Sequence, residues 1–269
     1  MVVLGAGPAG LAAAWRAARR GLSVLVLERA AAVGGMAASF EVAGVRVDHG
    51  SHRLHPASPP AVLGLLRDLL GEDLQTRPRN GRLRVYGRWV GFPLRPAELV
   101  RTLPRDAVRR IGRDAVLRPF AATRSDSYES LLVNRLGPEL HGALYGPYAR
   151  KLWGLPGGQI DVEQTRRRVS AGGVWGIARK IVRPSRNGQG RVFHYPRRGF
   201  GQIVDVLSDA AVKAGATIET GAEVATVRAL SEAMAVSTAD GRTVRAGHVL
   251  STVPLPVLAR LSRPPQPVP

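Results

Sequence analysis

Apolar and polar residues follow two rhythms along this 269-residue chain, and the places where the rhythm changes mark its elements. Val2-Val3-Leu4 is a short apolar run that leads through Gly5-Ala6-Gly7-Pro8-Ala9-Gly10 into the strong helix formers of residues 11–20, which Gly21 stops. Ser23-Val24-Leu25-Val26-Leu27 reads as a strand buried on both faces and ends in Glu28, completing a βαβ unit. An amphipathic helix is predicted over 61–70, with Gly71 as its stop. Residues 83–92 alternate apolar and polar around Gly87-Arg88 and predict a hairpin. Helical periods follow at 97–103, 105–118, 127–135 and 137–151, punctuated by Pro93, Pro96, Pro104, Pro119 and Pro138. The α/β pattern then returns. A helix over 202–214 carries Ile203, Val206, Leu207 and Ala210 on one face. Short strands follow at 216–219 and 249–253. Between them 223–228, 233–238 and 242–246 read as an antiparallel meander with a turn at Asp240-Gly241. The whole predicts an α/β fold: a Rossmann-like domain from 1–78 and 191–269, with a mostly helical domain of 79–190 inserted.

The glycine spacing in the first turn carries chemistry. Gly5 makes the tight turn, Gly7 lets backbone approach a pyrophosphate, and Gly10 lets helix and strand pack closely. Ala6, Pro8 and Ala9 complete the loop, and the helix start behind them offers free N–H groups and a positive dipole end. Glu28 stands where a carboxylate accepts hydrogen bonds from the adenosine ribose hydroxyls and repels a 2′-phosphate, which argues against NADP. A nicotinamide domain usually runs from here into a second crossover helix. This chain instead continues through Arg29 to a double-glycine turn, Gly34-Gly35-Met36. Such a turn folds back over an extended ligand with N–H groups aimed at phosphate or ribityl oxygens.

An acid-ended strand leading to a Gly-Gly loop resembles the FAD-binding signature of the amine oxidase superfamily. Residues 39–56, which contain Asp48-His49-Gly50-Ser51-His52-Arg53-Leu54-His55, resemble the segment after that loop in protoporphyrinogen-oxidase-like flavoproteins and UDP-galactopyranose mutases. Residues 145–156 resemble their shared Tyr/Lys/Trp-Gly helix end, and 193–202 the segment that returns to the FAD domain. The resemblance implies FAD as cofactor, with Gly50 and Ser51 among its binding residues. It implies that the backbone at Glu223-Val224 passes beside the adenine, that Ser251-Thr252-Val253-Pro254 closes over the pyrophosphate, and that His52 and Arg53 lie at the flavin's reactive face. A cation there stabilises a reduced, anionic flavin. The implied activity is FAD-dependent oxidation of a C–H or C–N bond in a small or lipophilic substrate. A flavin-dependent nucleotide-sugar isomerase and a non-catalytic FAD-binding remnant stay open beside it. Relatives continue with more substrate domain and a Gly-Asp-containing strand and helix, whereas this sequence closes on Arg263-Pro264-Pro265-Gln266-Pro267-Val268-Pro269. The expectation is the front portion of a larger enzyme, or one completed by a separate C-terminal chain.

Composition changes this picture in two places. Cysteine is absent, which excludes disulfides, thiolate metal sites, a catalytic thiol and cysteinyl flavin attachment. The net charge is +19 and nearly all of it is arginine, since Lys151, Lys180 and Lys213 are the only lysines. Part of this excess fits the composition of a GC-rich genome. Yet Arg79, Arg82, Arg84, Arg88, Arg95, Arg101, Arg105, Arg109, Arg110, Arg113 and Arg118 lie between Arg77 and Arg124, against only Glu98, Asp106 and Asp114. A field of one sign attracts anions: an acidic substrate, a diphosphate or an anionic membrane face. No nucleic-acid motif accompanies it, so nucleic acid is not an expected partner. Hydrophobic content of 45% and charged content of 22% fit a soluble globular chain. With no apolar run of about 18 residues and no visible signal peptide, the expected place is the cytoplasm, with peripheral membrane contact through the arginine block.

His52 and Arg53 are therefore the candidate catalytic residues, with His49 and His55 weaker candidates. The spacing of the three histidines after Asp48 fits no common zinc pattern, so no metal is expected. Tyr148, Lys151 and Trp153 are expected to pack or cap a helix end. Arg197 and Arg198 are placed either on a substrate carboxylate or phosphate, or on the surface.

Overall fold

The computed structural model describes residues 1–92, 94, 96–117, 125–164 and 192–263. The chain divides into two compact units, one from Met1–Pro78 with Gln189–Pro269 and the other from Arg79–Gly188.

The first unit is built on a parallel sheet. Strands β1 (Val2–Leu4), β2 (Leu25–Leu27), β9 (Thr217–Glu219) and β13 (Val249–Ser251) stand in the order β13-β1-β2-β9, with Val3 beside both Val26 and Leu250. Alternation along these strands sorts the side chains into two cores. Val3 and Val26 point to helices α1 (Pro8–Ala18), α2 (Pro60–Leu70) and α8 (Gln202–Lys213), where Leu11, Ala14, Leu66, Leu70, Ile203 and Leu207 meet them. Val2, Leu4 and Leu27 point the other way, onto Val227 and Val236 of the meander β10 (Val224–Ala229), β11 (Met234–Thr238), β12 (Thr243–Ala246). Strand β14 (Ser262–Arg263), after helix α9 (Leu255–Leu261), adds a parallel edge to β10. Two smaller ribbons complete the unit. The hairpin β3 (Ser39–Val42) with β4 (Val45–Asp48) turns at Ala43-Gly44, both at positive φ, and β5 (Leu74–Pro78) pairs antiparallel with β8 (Val192–Pro196).

The second unit opens with the hairpin β6 (Gly81–Val85) and β7 (Arg88–Phe92), whose Val85 and Val90 form a core with Leu99 and Leu103 of α3 (Pro96–Thr102) and the adjoining turn. Helices α4 (Arg105–Leu117), α5 (Tyr128–Leu136), α6 (Pro138–Leu140) and α7 (Gly146–Trp153) follow.

Four details differ from the sequence pattern. The hairpin turns at Tyr86-Gly87, with φ of 49° and 74°, not at Gly87-Arg88, because a two-residue turn matched to strand twist needs positive φ at both central positions. Arg88 is thus a strand residue, and Arg242 lies in the β11–β12 loop. The helix predicted over 137–151 is interrupted by a π-helical segment, His141–Tyr145, where the Gly146 N–H donates to the His141 carbonyl. Pro147 has no N–H for the Ala143 carbonyl, so regular α bonding fails there. The buried stripe of α8 is Ile203, Val204, Leu207 and Ala211, rotated from the predicted one, since this helix is flanked by both α1 and α2. The predicted contributions of Arg95, Arg118, Pro93, Pro119 and the tail Pro264–Pro269 lie outside the described residues.

Candidate functional site

The first glycine turn is shaped by contacts a side chain would destroy. A Cβ on Gly10 would stand 2.0 Å from the Gly5 carbonyl oxygen, so only glycine lets α1 start this close to β1. Gly5 has φ +97° and a Cβ there would meet the Thr252 hydroxyl at 2.7 Å. Gly7 differs: a Cβ on it would find only the Gly34 carbonyl oxygen, at 4.0 Å. The space over Gly7 is not filled by protein. Gly7 is the N-cap of α1 and offers no side-chain cap, and Pro8 occupies the first turn. The first-turn N–H groups of α1 have no intrahelical partner.

The double-glycine turn packs on that loop. Gly34 donates from its N–H to the Ala6 carbonyl at 2.9 Å, and Gly34 and Gly35 have φ of +134° and +53°. A Cβ on Gly35 would reach the Gly7 Cα at 3.4 Å. Met36 follows with 88% of its surface exposed.

Glu28 is fixed between these loops. Its Oε2 accepts the Ala6 N–H at 2.8 Å and its Oε1 the Ala30 N–H at 2.9 Å. Each oxygen keeps a lone pair for a further donor. Arg29 is exposed beside it. The Ala222 N–H donates to the Glu28 carbonyl and the Gly221 N–H to the Ala30 carbonyl, both at 2.9 Å, which brings Glu223 and Val224 alongside. The Val224 side chain packs, half-buried, against the meander core. Thr252 sits behind the first turn, its Oγ1 donating to the Leu4 carbonyl at 2.9 Å and its N–H to the same oxygen. Its side chain supports the turn rather than reaching over it.

The loop after β4 is held on a different set of partners. The His52 ring stacks on Phe200 at 5.1 Å, and a Cβ on Gly50 would meet His52 Nε2 at 3.2 Å. The Arg53 guanidinium lies 5.1 Å over the Phe193 ring. Ser51 is exposed between them. His49 lies beside the Phe40 ring and His55 Nδ1 accepts the Ala57 N–H, so the three histidines have separate surroundings. Among the described residues no group of three His, Asp or Glu side chains is placed to hold a metal ion.

Asp48, which the sequence sets only beside the three histidines, organises this region. It accepts hydrogen bonds from Ser39 Oγ at 2.6 Å, Tyr195 OH at 2.5 Å and the Phe200 N–H at 2.8 Å. Burial works to raise its pKa, but these donors and the nearby His52 outweigh it and hold the carboxyl below its ordinary value. Burial, and then the bond to Asp48, push the Tyr195 phenol up to about 12. Ser39 Oγ in turn accepts the Gly201 N–H, and Arg46 pairs with Asp205 at 2.7 Å. The only advance signal was an acid closing a short alternating strand.

Arg197, exposed at the surface, pairs with Asp73 at 2.9 Å. In the second unit Trp153 makes edge contacts with Tyr128 and Tyr148, as a packing role requires.

The pattern of the family described as flavin-containing amine oxidoreductase matches residues 8–269. Protoporphyrinogen oxidase 2 of Arabidopsis thaliana, chloroplastic/mitochondrial, is 38% identical over 103 residues, which cover 37% of this chain and 20% of that protein. Among solved structures, a reduced UDP-galactopyranose mutase superposes with a TM-score of 0.79 at 24% identity, covering 97% of this chain and 57% of that one. A putrescine oxidase bound to putrescine gives 0.60 at 21% identity, covering 99% of this chain and 60% of that one. The chain thus spans about three fifths of the solved structures it resembles, and these likenesses are of fold.

Proposed function

Since the chain belongs to the flavin-containing amine oxidoreductases, with FAD as cofactor, we propose that it holds the ADP half of FAD between its two glycine turns and serves the oxidation of a small or lipophilic substrate. The observation that carries this reading is the convergence on one point of the unfilled space over Gly7, the Gly34-Gly35 turn and the immobilised Glu28 carboxylate. Gly5, Ala6, Gly7, Pro8, Ala9 and Gly10 cradle the pyrophosphate, with N–H groups and the α1 dipole facing its charge. Glu28 accepts the ribose hydroxyls, the backbone at Val224 borders the adenine, and Arg29, Gly34, Gly35 and Met36 line the path toward the flavin. Gly50 and Ser51 carry the loop to the cofactor, with His52 and Arg53 as its cationic or hydrogen-bonding face.

Bound FAD supplies the acceptor for the substrate's electrons. What this chain adds is orientation: its first unit is the cofactor domain and Arg79–Gly188 the substrate domain. Titration with FAD and with NAD tests the cofactor half. FAD should bind in preference, and a preference for NAD overturns the reading. Turnover tests the reaction. Oxygen uptake with substrate supports an oxidase, whereas activity that needs prior reduction of the flavin and consumes no oxygen points to the isomerase chemistry instead.

A further inference from the structure

The meander has a second face. Val227, Met234, Val236, Val244 and Ala246 point into the core. Alternation therefore turns Thr226, Arg228, Ala235, Ser237, Thr243 and Arg245 to the opposite side. Register aligns them in two rows across the sheet. One runs Arg263, Arg228, Ala235, Arg245, and the other Thr226, Ser237, Thr243. Thr226, Arg228, Ala235, Ser237, Thr243 and Arg263 line a concavity of about 430 Å³. Its floor is Ala235, which is only 5% exposed although it faces outward, because longer neighbours stand over it.

The charge in this hollow is unbalanced. Arg228 and Arg263 are direct partners in the parallel pair β10–β14, and like charges so placed repel. Among the described residues neither has a carboxylate within ion-pair distance. Arg263 is instead held by its own backbone: Nη1 donates to the Arg260 and Ser262 carbonyls at 2.7 and 3.0 Å, leaving its remaining N–H groups to point elsewhere. Hydroxyls supply the rest of the wall, with Ser237 Oγ and Thr243 Oγ1 2.8 Å apart. Two guanidinium forks and hydroxyl donors around one space match a tetrahedral oxyanion. This face is the reverse of the one that packs on β1 and β2, so it is distinct from the glycine turns.

We propose that the outer face of the meander binds the phosphate group of a small anionic ligand between Arg228 and Arg263, with the Thr226 hydroxyl and the one free hydroxyl proton of the Ser237–Thr243 pair as further donors. The bound anion would offset the repulsion between the two arginines. The test is calorimetric titration of the FAD-saturated chain with inorganic phosphate and with glycerol phosphate, at constant ionic strength set with chloride. Saturable binding is expected. Arg228→Ala and Arg263→Ala should each weaken it about tenfold, the loss of one charge-assisted contact. Arg245→Ala, in the same row but outside the hollow, should leave it unchanged. Arg228→Glu provides a check in the absence of ligand. It should abolish phosphate binding yet melt higher than the unmodified chain without phosphate, because it pairs with Arg263. Stronger binding of glycerol phosphate than of inorganic phosphate would mark an organic phosphate as the ligand, and equal binding would mark the free ion. The proposal is overturned if phosphate does not bind saturably, if both alanine variants bind it unchanged, or if Arg228→Glu melts lower without phosphate. Because FAD fills the glycine-turn site throughout, a failure here leaves the cofactor assignment standing, and loss of FAD binding would appear separately in the flavin absorbance.

Discussion

Gly7 and Gly10 are three residues apart and play opposite parts. A methyl group on Gly10 would collide with the Gly5 carbonyl, so Gly10→Ala should destabilise the fold by about 3 kcal/mol or more through overpacking. Gly7 looks onto free space, so Gly7→Trp should leave the melting temperature nearly unchanged while abolishing FAD binding. Thermal melts and FAD titrations of both variants check the contrast. Asp48 makes a second residue-level prediction. Its pKa is depressed in the folded chain, so its contribution to stability is complete above the ordinary value of 3.8 and is lost as pH falls through the lower folded value. Asp48→Asn should therefore flatten the fall in stability below about pH 4 in acid denaturation curves. These residues also show what a sequence discloses. Gly5, Gly7, Gly10 and Glu28 are legible because a turn, a helix start and a strand end lie within one short segment. Asp48 is not, because its donors Tyr195 and Phe200 are 147 and 152 residues away.

At the level of elements, the second unit shows one helix capping another. Helix α6 begins after Gly137, which has φ +88° and no side chain to cap it. The cap comes from α4: buried Asp114 accepts the Glu139 N–H through Oδ2 at 3.1 Å, and a Cβ on Gly137 would press into it at 2.6 Å. Glu139 in turn takes the Arg110 guanidinium at 2.9 Å and the Tyr86 hydroxyl, which ties the hairpin tip to the same point. Asp114→Ala should cost about 1–2 kcal/mol, as loss of an N-cap does, and Asp114→Asn should recover most of it, as read by urea denaturation. The sequence pattern located α4 and the hairpin within a residue or two. It had no means of assigning Asp114 to a helix 25 residues away, nor of placing the π segment inside a run with helical periodicity.

Across the whole molecule, the arginine excess divides by use. Arg46, Arg110, Arg197 and Arg242 are paired with acids inside the scaffold, while Arg79 lies over the Phe92 ring. The second unit carries further arginines together with exposed apolar groups. Trp89 is 61% exposed and its strand partner is Arg84; Val116 is 68% exposed on α4. No described helix is long and apolar enough to cross a membrane. Arginines together with exposed apolar side chains suit peripheral contact with acidic lipid, and we expect sedimentation with acidic but not neutral liposomes. Binding should fall as salt passes about 0.15 M, where the screening length nears 8 Å. Equal sedimentation with neutral liposomes, or none with either, would leave these arginines solvated.

The order β13-β1-β2-β9 has a consequence for how the chain is made. β1 is an interior strand, and its neighbour β13 is the last of the four to be synthesised. Val2–Leu4 must leave the ribosome with one edge unsatisfied and wait until Val249–Ser251 follows. Meanwhile the hairpin β6–β7 and helices α3–α5 find core partners within the stretch of chain from β6 to Ile160. The helical unit can condense first, and the first glycine turn takes its final shape only when Thr252 arrives behind Gly5. Nascent chains arrested before that point should keep β1 sensitive to protease, so the glycine fingerprint becomes structure only after β13, far downstream in the chain, has been made.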